Sequence, residues 1–413
     1  MNTLAAAPPK DLKEVASSLV RLGATSYGGP AIMGIMQAEL QEKRKWVTKE
    51  RFLEGLSVAN MVPGATATQL GIFLGYARGG WWGGLIGGLC FVLPAFLIML
   101  GLTVAYASFG VTPVARSALY GLGPVVIGLF AFAVYRLGKS AMSTTQEMAI
   151  GVLAAAASSV TPVGIAAILI LAGLAGFVLF HSRRFATILL CVAAFVAVLV
   201  AAWWLNSSAS GAPAARAVPD PRSLVEIGAY FLKVGAFTIG GGLTMIAFIQ
   251  DQVVGQFGWL TPREFVDGLA LGQLTPGPVL MIAAYVGYKV AGAGGAAVAA
   301  VAAFLPSFVI MLVILPVLDR VRKLAWMRAV MKGMAPAVIG VLAVSLARLA
   351  PAALPDPFAI AIFVATLLAL TLTKLGVFKL MLAGAALGIL RSRLPFMAGL
   401  KTAGRLITTW MSA

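Results

Sequence analysis

Apolar residues run in long stretches, at 85–107, 152–180, 187–205, 294–318 and 358–372, and polar residues are confined to the gaps between them. A bilayer core about 30 Å thick takes roughly 20 apolar residues per helix. Buried helices of soluble proteins are rarely so long or so numerous. The pattern therefore predicts an all-α polytopic membrane protein.

The pattern also repeats. A shift of 212 positions sets Leu22-Gly23-Ala24 on Val234-Gly235-Ala236 and Gly28-Gly29 on Gly240-Gly241. One extra residue moves the offset to 213 for a stretch, where Trp46-Val47-Thr48 meets Trp259-Leu260-Thr261 and Pro63-Gly64 meets Pro276-Gly277. The offset then returns to 212, pairing Gly75-Tyr76 with Gly287-Tyr288 and Leu93-Pro94 with Leu305-Pro306. Chance does not give this many matched glycines and prolines in one order, and internal repetition of this kind points to duplicated architecture. Each half reads as a first unit interrupted by glycines, at about 12–38 and 224–250, and a second interrupted by Pro-Gly, at about 49–78 and 262–290. Two unbroken spans and a helical hairpin turning at Thr161-Pro162 or Thr373-Lys374 follow. The expected organisation is a first repeat with an extra connecting span (1–205), a polar, Pro-rich linker (206–223) and a second repeat (224–413).

Composition and charge sharpen this. The chain is 60% hydrophobic and 11% charged, against about 25% charged in an ordinary soluble protein. Its net charge of +17 lies in short clusters between apolar stretches, the pattern of cytoplasmic loops rather than of a nucleic-acid surface. Residues 1–13 lack the apolar run of a cleavable signal peptide. Cys90 and Cys191 sit within apolar stretches and read as packing residues, and His181 as a loop residue beside Arg183 and Arg184. Lys43, Arg44, Lys45, Lys49 and Arg51 precede the second unit of the first half, where the other half has only Arg263 among Asp251 and Glu264. The loop between the unbroken spans reverses this bias: 107–115 is uncharged, whereas Arg320, Arg322 and Lys323 crowd its counterpart. Positive loops stay cytoplasmic, so the halves are expected to be inverted-topology repeats with broken, re-entrant helices and a cytoplasmic N-terminus in the inner membrane.

The four breaks, Gly28-Gly29-Pro30, Pro63-Gly64-Ala65, Gly240-Gly241-Gly242 and Pro276-Gly277-Pro278, are where a binding site is expected. Helix starts at such breaks offer unpaired N–H groups and a positive dipole end, which suit an anion. Thr25, Ser26, Asn60, Thr66, Thr68 and Gln69 surround them in one half, and Thr238, Thr244, Gln273 and Thr275 in the other. Neutral donors ringed by helix ends would bind an oxyanion and still release it. Close helix packing explains Gly83, Gly84, Gly87 and Gly88 better.

Matched charges add candidates. Arg21 and Lys233 stand about two helical turns before the glycine breaks, where they could raise the potential at an anion site. Arg116 and Arg328 lie near span ends and read as anchors that snorkel. Glu54 and Asp267 could carry a coupling proton if burial raises their affinity for it, or could simply pair with a nearby cation.

These motifs resemble the chromate ion transporter family in its long, two-domain form. The resemblance is carried by Tyr27-Gly28-Gly29-Pro30, the two Trp-x-Thr loops, Pro276-Gly277-Pro278, and the Leu-Pro spans at Phe91–Pro94 and Phe304-Leu305-Pro306. It covers about 15–137 and 225–350. Two departures stand out: the first Pro-Gly-Pro is Pro63-Gly64-Ala65, and the histidine often found after the first Gly-Gly-Pro-Ala is Ile32. The resemblance implies export of chromate, a divalent tetrahedral oxyanion, powered by the membrane gradient and coupled to protons or anion exchange. Sulfate, with the same shape and charge, is the expected competitor.

No GxxxxGK[ST] loop appears, so ATP drive within the chain is not expected. A membrane enzyme would cluster acids or histidines for metal or acid–base work, and no such cluster occurs in the sequence. The expectation is a secondary transporter without cofactor, metal or nucleic-acid partner, with the lipid bilayer as its surroundings and a homodimer allowed. A transporter of sulfate or another oxyanion, or a passive anion channel, stays open as the alternative.

Overall fold

The computed structural model describes residues 11–27, 31–109, 112–161, 163–180, 223–239, 242–321, 324–373 and 375–393. The first half contains α1 (Leu12–Thr25), α2 (Ala31–Met36), α3 (Lys49–Met61), α4 (Thr66–Phe109), α5 (Pro113–Ala141), α6 (Thr145–Val160) and α7 (Ile165–Phe180). The second half repeats the series as α8 (Leu224–Ala236), α9 (Thr244–Phe248), α10 (Pro262–Leu274), α11 (Ile282–Ile314), α12 (Ala325–Ala353), α13 (Pro357–Leu372) and α14 (Val377–Arg393). Among the described residues there is no strand. Four of these segments are long and apolar enough to cross a membrane: 66–109, 113–141, 279–317 and 325–353. The fold is that of an all-α polytopic membrane protein.

Local chemistry explains where helices start. The Asp11 carboxylate accepts from the amides of Lys13 and Glu14 at the head of α1. Thr144 with Glu147, and Thr261 with Glu264, form capping boxes at α6 and α10. Each pairs amides that have no partner inside the helix. At matched places, α2 and α9 continue as π-helical turns, Gln37–Lys43 and Ile249–Gln256. Such turns are rare and tend to occur at functional positions.

Segments on either side of a break lie alongside one another. Trp46 donates to Glu14 (3.0 Å), placing the end of the first unit beside its beginning. Arg78 adds two hydrogen bonds to the same carboxylate (2.9 and 2.7 Å). In the second unit Gly55 of α3 abuts the Phe73 ring of α4, two residues almost equidistant in sequence from the Pro63-Gly64 break. Gly268 and Tyr285 repeat the contact across Pro276-Gly277. Arms of 13 residues, as in α3 and α10, are about 20 Å long, well short of the bilayer core. A second reversal follows inside α4 at Gly80 (φ 66°) and inside α11 at Gly292 (φ 63°), a conformation open to glycine and costly for other residues. Close Gly75–Gly83 and Gly287–Gly295 backbone approaches seal these turns, as expected of the glycines assigned to packing.

The halves interlock. Gly84 of α4 faces Leu312 of α11 and Gly88 faces Phe308, so these matched helices pack with opposite chain directions. Gly121 of α5 sits against Gly384 of α14, and its counterpart Gly333 of α12 against Ala172 of α7. Each half therefore lends its terminal hairpin to the other half's long span. The outer face carries exposed apolar stripes at matched positions, Leu89, Leu93 and Leu97 on α4 with Val301, Leu305 and Val309 on α11. Rows of exposed Leu and Val of this kind are surfaces made for lipid.

Candidate functional site

The tips of the folded-back units meet across the two halves. The Gly64 N–H donates to the Thr238 carbonyl (2.7 Å), and the Gly277 N–H donates to the Ser26 carbonyl (2.8 Å). Gly64 matches Gly277 and Ser26 matches Thr238, so the two bonds are one bond made twice by the repeat. The glycines adopt φ of +133° and +98°, conformations that L side chains avoid. Of the residues expected at the site, Gly64 is brought onto Thr238 and Gly277 onto Ser26, with Pro63 and Pro276 next to the glycines in the chain.

The Gly64 and Gly277 amides are spent on locking the halves together. Among the described residues, the amides of the first turn of α4, Thr66 to Thr68, have no backbone partner, because the first intrahelical bond runs from Gln69 N–H to the Ala65 carbonyl (2.9 Å). Three buried polar atoms have no hydrogen-bond partner: Thr68 Oγ1 and Gln69 Oε1 at the head of α4, and Ser26 Oγ in the residue whose carbonyl accepts from Gly277. All three residues are fully buried. Gln69 also donates to the Pro63 carbonyl (2.7 Å), which fixes its amide over the break. Buried polar groups are seldom left unpaired, since each costs about 1–3 kcal/mol.

Other hydroxyls are already committed. Thr238 and Thr275 donate to their own helices at Val234 O (2.7 Å) and Leu271 O (2.8 Å). Thr244 Oγ1 accepts from the Ile239 amide (2.9 Å) and donates to the Ile239 carbonyl. Thr66 is buried at the head of α4, Gln273 is half-buried, and Asn60 is exposed. Arg21 and Thr25 lie on the exposed face of α1, where the Thr25 hydroxyl caps the Arg21 carbonyl (2.7 Å). Lys233 is exposed on α8 and donates to Gln252 (3.2 Å). Arg21, Thr25, Asn60 and Lys233, all exposed, are not gathered at the meeting point. Gly28, Gly29, Gly240 and Gly241 lie outside the described residues.

The two acids are each beside an arginine: Arg51 lies 3.0 Å from Glu54, and Arg263 Nε lies 3.2 Å from Asp267 Oδ1. The second contact lacks hydrogen-bond alignment, since that oxygen has no hydrogen-bond partner. Asp267 is almost fully buried and accepts from the Tyr106 hydroxyl at its other oxygen (3.2 Å).

The chain matches the chromate transporter family twice, over residues 13–177 and 225–389. It belongs to that family. It is 33% identical to the "Chromate transport protein" of Cupriavidus metallidurans over 398 residues, 92% of this chain and 93% of that protein. It is 32% identical to the "Probable chromate transport protein" of Synechococcus elongatus, covering 81% of this chain and 84% of the other. The "Chromate transport protein" of Pseudomonas aeruginosa is 31% identical, with 82% of this chain and 81% of that protein covered. No solved structure matches the chain.

In this chromate transporter the departure at Pro63-Gly64-Ala65 has a structural counterpart. Ala65 stands where the second half has Pro278, so it carries an N–H that proline lacks. That amide donates to Ser307 Oγ (2.8 Å). Ser307 matches Ala95, which faces Gly277 in the other half, where there is no amide to satisfy. Ser307 was not among the residues singled out from the sequence. Its signal was present in the exchange of Pro for Ala at position 65, but nothing in the chain says that position 307 faces position 65.

Proposed function

We propose that the protein exports chromate from the cytoplasm across the inner membrane by alternating access, with the meeting point of the hairpin tips as the substrate site. The observation that carries the site is the doubled glycine–carbonyl bond, Gly64 to Thr238 and Gly277 to Ser26, beside buried polar atoms that lack partners. The names of the relatives support chromate as substrate. In this reading the halves are inverted repeats and the folded-back units are re-entrant. The opposite directions of α4 and α11 and the reversed charge bias of matched loops support that arrangement. Two hairpins then enter from each face, and the first turn of α4 aims its amides and dipole at the oxyanion. Rocking of one half against the other would break and remake the doubled bond while the site stays at mid-membrane.

Glu54 and Asp267 are the proton carriers in this scheme, each standing beside an arginine, Arg51 and Arg263. Arg21 and Lys233 raise the potential from the exposed faces of α1 and α8, about two helical turns before the glycine breaks. The test is chromate uptake into inverted membrane vesicles under an imposed pH gradient. Uphill accumulation is expected, and flux that only equilibrates would replace the carrier by a passive channel. Sulfate should compete. Arg21→Gln and Lys233→Gln should each reduce uptake with folded protein retained, and unchanged rates in both would remove these charges from the site. Asp267→Asn should leave downhill chromate exchange in place and abolish accumulation driven by the gradient.

A further inference from the structure

A second cavity lies away from the hairpin tips. It has a volume of about 570 Å³ and is enclosed by the end of α4, the start of α5, the first turns of α10 and the middle of α11. Three cationic side chains, Arg116, Arg263 and Lys289, line it together with two carboxylates, Glu264 and Asp267, and the phenols of Tyr106 and Tyr120. Most of these groups hold one another. Lys289 pairs with Glu264 (2.8 Å) and lies over the Tyr106 ring. Arg263 lies beside Asp267 and donates to the Ala352 carbonyl (3.3 Å). Tyr120 donates to Asp356 (2.5 Å), which in turn pairs with Arg391 (2.8 Å). Arg116 differs: among the described residues it has no ion-pair partner. The cavity thus presents one uncommitted guanidinium and two further cations whose own carboxylates a dianion could replace.

We infer that this cavity is a second binding site for a tetrahedral oxyanion such as sulfate, chromate or phosphate, with Arg116 as its primary contact. A guanidinium offers a planar fork matched to two oxygens of such an anion. Lys289 and Arg263 close the other sides by turning from Glu264 and Asp267 toward the incoming charge. A free oxyanion and the phosphate of an anionic lipid share this chemistry. The site lies on the face opposite the basic loops of the first half, so under the transport reading above, on which its role depends, it is the exit vestibule.

The inference is tested on the purified full-length chain with Cys90→Ser and Cys191→Ser as background and Ala107→Cys as reporter at the cavity wall. The rate of modification by a negatively charged thiol reagent is measured with and without sodium sulfate, at constant ionic strength. At a sulfate concentration about ten times its dissociation constant, modification is expected to slow about tenfold. Arg116→Gln should remove that protection, while Arg328→Gln, its counterpart in the other half, should leave it intact. No protection by sulfate, or protection that survives in Arg116→Gln, overturns the site. Repeating the assay in nanodiscs of phosphatidylcholine and of phosphatidylglycerol separates the sources. Protection in phosphatidylglycerol without sulfate assigns the site to a lipid headgroup. Because the readout needs no transport, a wild-type chain that binds sulfate here but moves no chromate would refute the transport reading alone.

Discussion

Gly277→Ala is expected to abolish chromate uptake and to lower the stability of the folded chain. Gly277 has φ +98°, where an L side chain costs about 1–2 kcal/mol. Its new methyl would stand 2.7 Å from the Ala95 Cβ, and forcing an extra carbon into a packed interior costs about 1–3 kcal/mol. The two costs together, roughly 2–5 kcal/mol, fall on the segment whose N–H holds the Ser26 carbonyl (2.8 Å). Uptake into inverted vesicles and the midpoint of thermal unfolding in detergent would both be measured. Adding Ala95→Gly removes the clash but leaves the backbone strain, so the double variant should regain part of the stability and not all of it. Wild-type uptake by Gly277→Ala would show that the crossing of the hairpin tips is not essential to transport.

The second large effect concerns Ser307. Truncation to alanine leaves the Ala65 N–H, now bonded at 2.8 Å, buried without a partner, a loss of about 1–3 kcal/mol. The repeat itself offers the remedy. At the matched place in the second half Pro278 has φ −73° and follows a glycine, so Ala65→Pro after Gly64 reproduces a geometry the fold already contains. Ser307→Ala combined with Ala65→Pro is expected to recover the stability that Ser307→Ala loses. A double-mutant cycle reads the coupling. If the two changes simply add, Ser307 acts through something other than the Ala65 amide.

Much of the fold was legible in the chain. Hydropathy located the long spans because a bilayer demands a minimum length of apolar helix, a constraint expressed residue by residue. The duplication was legible because both halves need glycine and proline at the same reversals. Gly80 and Gly292 share one backbone conformation, and each Pro-Gly break ends one arm and begins the next. These are local requirements, met by the residue at the position itself, so they leave a mark in sequence order.

The site was legible only in part. Ser26, Gly64, Thr238 and Gly277 could be named from the breaks, but which break faces which could not. A search confined to one repeat would pair Ser26 with Gly64; the structure pairs each with the opposite half. Arg21 and Lys233 could be recognised as charges in apolar units, yet the side of the helix they occupy depends on where the neighbouring helices pack. Both stand on exposed faces of α1 and α8. Ser307 and the cavity around Arg116 were missed for the same reason, since their partners lie far away in sequence: Ala65 from the first half meets Ser307 from the second, and Arg116 faces Arg263 and Lys289. The sequence by itself determined the helices, their breaks and their duplication, because those follow from backbone geometry and solvent at each residue. The tertiary structure alone decided how the two copies cross, because that depends on contacts between residues far apart in the chain, Gly64 with Thr238 and Gly277 with Ser26, which no local pattern encodes.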